Sequence, residues 1–257
     1  MTIELGFLTS FVVTFMLMFC RLGTMLMLMP ALGEASLPTR YRLTLALALT
    51  YIMAPIGQPL YPDTVLSSFP ALLLMIFGEI AIGLFVGGSV RLVTFALQTA
   101  GAMIANQMGL AFALGGDITA SGMQGAIIGN FLSMLGTVLI FATNLHYLAI
   151  AAMHDSFTLF PPGDLVAIED VSSHGVALIG QMFSIAVRLS APFMVVGLVF
   201  YFGMGLLNKL MPQLQIFFIA MPVNIMIGLF LLLAVLSTMM GWYLTQVEAV
   251  FQPFIVQ

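Results

Sequence analysis

The reading of this chain turns on residues 69–90, FPALLLMIFGEIAIGLFVGGSV, in which Glu79 is the single charge. About twenty consecutive apolar residues cross the roughly 30 Å hydrocarbon core of a bilayer as one helix. A helix is the natural choice there, because it satisfies its own backbone where no water can. Comparable stretches run over 5–30, 43–57, 92–114, 123–152, 176–207 and 214–247. Across the 257 residues, 61% are hydrophobic and 6% charged, with mean hydropathy +1.16. A soluble domain is about 25% charged, so sixteen charged side chains could not cover a soluble fold of this size. The expectation is an all-α, polytopic integral membrane protein, a single membrane-embedded domain over 1–257 with about six long, kinked hydrophobic helices.

The net charge of −4 argues against nucleic acid, whose phosphates call for a basic face. The lone cysteine, Cys20, supports neither an intrachain disulfide nor a cysteine zinc cluster. Apolar residues 7–20 could pass for a signal peptide. However, Glu4 precedes them without Lys or Arg, and Leu17-Met18-Phe19-Cys20 is bulky where a cleavage site needs small residues. We read this stretch as a retained first span.

Charge organises the spans. Arg40, Arg42, Arg91 and Lys209 fall at span ends, and such residues mark the cytoplasmic side. Glu4, Asp63, the loop from Asp155 to Asp170, and Glu248 occupy the other connections. These two sets separate cleanly if one stretch within 92–122 enters the membrane level and returns, giving six crossings with both termini outside. Segment 43–57 is short and runs into Pro55-Ile56-Gly57-Gln58-Pro59. The later spans are long enough to tilt, and Pro192 and Pro222 are expected kinks.

The re-entrant stretch is also the oddest in composition. Gln98, Gly101, Asn106, Gln107, Gly109, Gly115, Gly116, Asp117, Gly122, Gln124, Gly125, Gly129 and Asn130 crowd together. Irregular backbone is tolerated at membrane depth only when buried in protein or lining a wet cavity. Two readings stand: a gate or pore-lining loop, or tight helix packing through small residues, as Gly83-xxx-Gly87 would allow.

Intramembrane charges are functional candidates. Arg21, Glu79, Arg91 and Arg188 are the set here, and one acid among three arginines suggests structural pairing rather than a proton relay. His146, His154 and Asp155 have no metal-ligand spacing. No nucleophile elbow, phosphate loop or dinucleotide fingerprint is present. We therefore expect no enzyme activity, metal or cofactor. The methionines, with clusters at Met25-Leu26-Met27-Leu28-Met29 and Met239-Met240, are expected to pack.

Residues 207–222, LNKLMPQLQIFFIAMP, form a short polar break between two apolar helices. Asn208, Lys209, Pro212, Gln213 and Pro222 there resemble the signature of the FliR family, the R subunits of the bacterial flagellar type III export gate. Lys209 stands where the family more often has Arg. Arg21, Pro30, Pro38 and Arg42 are similar to the family's first span and following loop, and Gly101 through Phe112 to its central glycine-rich stretch. Asp117-Ile118 departs from the usual Asp-Pro. The resemblance covers the whole chain.

That resemblance implies a core subunit of a helical pore that passes unfolded flagellar proteins across the bacterial inner membrane, in the flagellar basal body. It implies assembly with P and Q subunits, and with the B and A subunits of the gate. It further implies a plug formed by Gln107, Met108, Gly109, Leu110, Phe112, Gly115, Gly116 and Asp117, with much apolar surface facing sister subunits. The virulence-type T subunit is the nearest alternative. A small-solute transporter would show paired broken helices in two related halves, and residues 98–125 have no counterpart elsewhere in the chain.

Overall fold

The computed structural model describes residues 5–30, 32–33, 38–61, 69–110, 121–163, 168–211 and 216–256. Among them every regular element is helical: α1 (Leu5–Leu28), α2 (Thr39–Gly57), a 3₁₀ turn (Gln58–Leu60), α3 (Phe69–Gln107), α4 (Ser121–Ala142), α5 (His146–Leu159), α6 (Ile168–Leu210), α7 (Ile216–Phe251) and a closing 3₁₀ turn (Gln252–Phe254). Four of these helices, α1, α3, α6 and α7, are long and apolar enough to cross a membrane. The pair α4–α5, bent by 76°, makes a fifth if counted as one span.

This differs in detail from the six crossings expected. The stretch within 92–122 expected to enter the membrane level and return is, as far as Gln107, the continuation of 69–90: α3 runs unbroken through Arg91 for 39 residues. Arg91 is half-buried within that helix rather than marking a loop, and charge alone does not stop a helix whose backbone bonds continue. The second segment, α2, carries Arg40 and Arg42 in its first turn and Pro55 near its end, and it is not among the spanning helices. At 1.5 Å rise per residue, α3 is about 58 Å long, the 43-residue α6 about 64 Å and the 36-residue α7 about 54 Å. Pro192 and Pro222 lie inside α6 and α7.

The bend between α4 and α5 has a local cause. Asn144 adopts φ 61°, a left-handed conformation that asparagine tolerates better than most residues. Its N–H donates to the Phe141 carbonyl at 3.2 Å while its own carbonyl accepts from Tyr147 at 3.0 Å.

The chain divides into two compact units. The first comprises residues 1–92, 140–178 and 247–257. Its core is a methionine- and leucine-rich face of α1, with Leu17, Met18, Leu22, Met25 and Leu26, and Met29 just past its end, all at most 1% exposed. Glycines let α3 approach α1 closely: a Cβ at Gly83 would stand 2.7 Å from the Arg21 carbonyl oxygen, and one at Gly87 would stand 3.0 Å from the Met25 carbonyl. Asp155 Oδ2 accepts the Val256 N–H at 2.9 Å, tying the chain's last turn to α5.

The second unit comprises 93–139 and 179–246. Here α4 meets α3 backbone to backbone at Gly129 and Gly101, where any Cβ on Gly101 would collide with Gly129. Met239, Met240 and Tyr243 of α7 are buried in this unit, with Tyr243 against Gly136.

Candidate functional site

In the first unit a buried charge cluster joins three helices. The Arg21 guanidinium on α1 is fully buried, and Glu79 on α3 is 2% exposed. The arginine grips the carboxylate with two donors, Nε to Oε2 and Nη2 to Oε1, the latter at 3.1 Å. Its remaining nitrogen, Nη1, donates to the Ser156 and Phe160 carbonyls, each at 2.9 Å. Those carbonyls close the C-terminal turn of α5, where Phe160 N–H also bonds Ser156. A cation suits a helix C-terminus, where unpaired carbonyls concentrate partial negative charge. The Phe157 ring lies 4.5 Å from the guanidinium carbon and adds a cation–π contact. Tyr61, outside the spanning helices, is buried beside this cluster without a hydrogen bond of ordinary geometry. Burial first, then the Glu79 charge, pushes its phenol far above the usual tyrosine range, so it remains protonated.

Among the intramembrane charges singled out in the sequence, the structure brings Arg21 onto Glu79. Arg91 is half-buried in α3. Arg188 is exposed on α6 and makes no ion pair with a described residue. No group of His, Cys, Asp or Glu among the described residues could hold a metal ion. His154 instead contacts the adjacent Asp155 at 2.7 Å.

In the second unit the C-terminal end of α3 is held on three sides by glycines. Gly129 of α4 packs on the Gln98 backbone, Gly197 of α6 leaves room for the Gln107 side chain, and Gly228 of α7 leaves room for Met108. Asn224 on α7, 4% exposed, donates its amide to the Gln107 carbonyl at 2.9 Å. That bond satisfies one of the carbonyls every helix end leaves open. Gly109 then turns the chain with φ +73°, a left-handed helix stop that favours glycine. Met108 is 1% exposed, so the turn is anchored on an apolar side chain. A groove of about 800 Å³ opens beside this turn, lined by Gln107, Met194, Val195, Leu198, Val199, Tyr201 and Phe202.

Of the plug residues expected from the sequence, Gln107, Met108, Gly109 and Leu110 therefore occupy this root. Phe112, Gly115, Gly116 and Asp117 lie outside the described residues. Of the signature set, Asn208 and Lys209 are exposed in the last turn of α6, and Pro222 is exposed inside α7. Pro212 and Gln213 lie outside the described residues. Sequence reasoning missed Asn224, Gly197 and Gly228. Asn224, a lone amide in an apolar run, could have been flagged as an intramembrane polar group. The Ser156 and Phe160 carbonyls carry no side-chain signal at all.

Comparison with known proteins gives a family-level match over most of the chain. Residues 12–250 match the family model described as bacterial export proteins, family 1. The flagellar biosynthetic protein FliR of Caulobacter vibrioides is 40% identical over 221 residues, covering 86% of this chain and 87% of that protein. The Escherichia coli protein of the same name is 32% identical over 211 residues, covering 80% and 78%. The Bacillus subtilis protein of that name is 26% identical over 231 residues, covering 87% and 86%.

Proposed function

The chain belongs to the bacterial export proteins of family 1, and from that premise we propose how it serves its gate: residues 107–121 form a closable constriction whose hinge is the glycine turn after α3. The chain is a subunit of the flagellar type III export gate. In this reading it works without catalysis, in the inner membrane, assembled with P- and Q-type subunits and contacting the B and A subunits. Unfolded flagellar proteins pass the pore these subunits form, and partners or the membrane potential supply the energy.

The observation that carries the proposal is the immobilised root. Three helices clamp the end of α3 through glycine contacts and an Asn224 hydrogen bond, and the chain then leaves through a left-handed glycine. A plug needs such a fixed base, because a segment that seals must return to the same place after each opening. Ten residues from Ala111 to Ala120, including Gly115 and Gly116, follow that base before α4 begins. Their composition suits a segment that yields to a passing chain, since glycine loses more conformational freedom on ordering than other residues.

Deleting Gly109–Gly116 from the assembled gate tests the seal. In planar bilayers the deleted gate should conduct small ions continuously, while the parent complex stays near background. An assembled deletion mutant that conducts no better than the parent would remove the plug from the account.

A further inference from the structure

On the second unit, α6 and α7 flank an open cavity of about 290 Å³ lined by Arg188, Leu189, Pro192, Val235, Thr238, Met239 and Trp242. We propose that this cavity is a binding site for the phosphate headgroup of an anionic phospholipid, with Arg188 as its charged ligand. The proposal rests on the chain's residence in a membrane and not on the plug.

The first argument is donor chemistry. Arg188 and Trp242 carry hydrogen-bond donors and no acceptor, and Thr238 can donate as well. The rest of the lining is apolar, with Leu189 2% and Met239 5% exposed. A site with a cationic, donor-rich rim over an aliphatic floor fits a phosphate diester continuing into glycerol and acyl chain. The guanidinium fork matches phosphate oxygens in particular. Arg188 has no carboxylate among the described residues to neutralise it, although Arg21 shows that this fold pairs a cation when it buries one.

Depth is the second argument. Between Arg188 and Lys209 lie twenty residues, 189–208, without a charge. As one helix they span about 30 Å, the thickness of the hydrocarbon core. The two cations then stand at opposite headgroup levels of a helix that is itself about twice that length. Trp242, the chain's single tryptophan, lines the same cavity as Arg188 and follows an uncharged run over 216–241 of α7. Tryptophan concentrates at membrane–water interfaces. Two helices thus place an interfacial arginine and an interfacial tryptophan in one pocket.

The test uses the full chain in mild detergent, loaded from vesicles of phosphatidylcholine alone or phosphatidylcholine with phosphatidylglycerol, and read by native mass spectrometry. The parent chain should retain phosphatidylglycerol in preference to phosphatidylcholine. Arg188→Gln should lower that retention about tenfold, the scale of one charge-assisted hydrogen bond. Arg188→Lys, which keeps the charge but loses the fork, should fall between the parent and Arg188→Gln, and Thr238→Val should weaken retention several-fold without touching the charge. Helical circular dichroism monitors folding, and the milder pair of variants decides the matter if Arg188→Gln does not fold. Equal retention of both lipids overturns the proposal, as does retention that ignores the substitutions. Displacement by inorganic phosphate would make it a free-anion site. Rescue of an assembly-defective Arg188→Glu by a carboxylate-to-lysine change in a partner subunit would make it a protein interface. Either result also overturns the lipid assignment.

Discussion

Removing Glu79 while leaving Arg21 in place should be among the most damaging single changes in the first unit. The guanidinium is fully buried and cannot lose its proton in a protein. Glu79→Ala would leave that charge with only the Ser156 and Phe160 carbonyls and the Phe157 ring. Breaking a buried ion pair from one side costs about 3–5 kcal/mol. For a chain of this size that corresponds to a loss on the order of 10 °C in melting temperature. The reverse change, Arg21→Met, is bounded differently. An orphaned carboxyl can take up a proton, which from the reference value costs roughly 3.7 kcal/mol at pH 7. It also strips the C-terminal turn of α5 of its cation. Replacing both partners, Arg21→Met with Glu79→Leu, should recover most of the loss, because an apolar pair of similar volume avoids desolvating two ions. The double-mutant cycle therefore predicts strong non-additivity. Thermal unfolding of the detergent-purified chain, followed by tryptophan fluorescence or a thiol-reactive dye at Cys20, measures all four corners. Additive single effects would refute the reasoning, and so would a Glu79→Ala variant that melts with the parent.

Two further changes probe the root of the plug. Gly101→Ala should force α3 and α4 apart, because its methyl group would meet Gly129 backbone; Gly205→Ala, with nothing within 4 Å, should melt like the parent. Asn224→Leu should uncap the Gln107 carbonyl at a cost of about 1–3 kcal/mol, and a rise in hydrogen exchange confined to the last turn of α3 is the signature to seek. Uniform protection in that variant would show that the bond is dispensable.

How far the sequence carried these conclusions depends on the kind of signal each feature leaves. Helix class was legible because apolar runs of this length leave little alternative. The charges were legible as a set, but Arg21, Arg91 and Arg188 look equivalent along the chain. Only the fold brings Arg21, fifty-eight positions away, onto Glu79. The division at Arg91 was misread because a charge in an apolar run looks like a span end, whereas helix continuity is decided by backbone bonding. A left-handed glycine ends a helix, and α3 meets one just past its last residue, at Gly109. The glycine-rich segment was read as either a gate or a packing surface. Its described part is a packing surface: Gly101 and Gly129 bring two backbones together, while Gly109 serves conformation. Sequence does not distinguish these uses, because the same absent side chain permits both.

Helix length adds a constraint that composition alone concealed. Membrane helices tilt by up to about 40°, and α3, about 58 Å long, would still rise about 44 Å at that tilt. That exceeds a roughly 30 Å hydrocarbon core by several turns. The excess is not polar. Phe77 near the start of α3 is 68% exposed, Val176 in α6 72%, and Phe230 and Leu233 in α7 68% and 74%. Three helices thus carry more exposed apolar surface than lipid can cover at any ordinary tilt. Exposed apolar patches beyond what a membrane or solvent accommodates mark protein interfaces, which is the surface that assembly with sister subunits would call for. The same argument bears on Arg188. If partners covered both halves of α6 equally, nothing would single out the twenty uncharged residues 189–208. Their match to one bilayer thickness is the feature of α6 on which the lipid proposal for Arg188 depends.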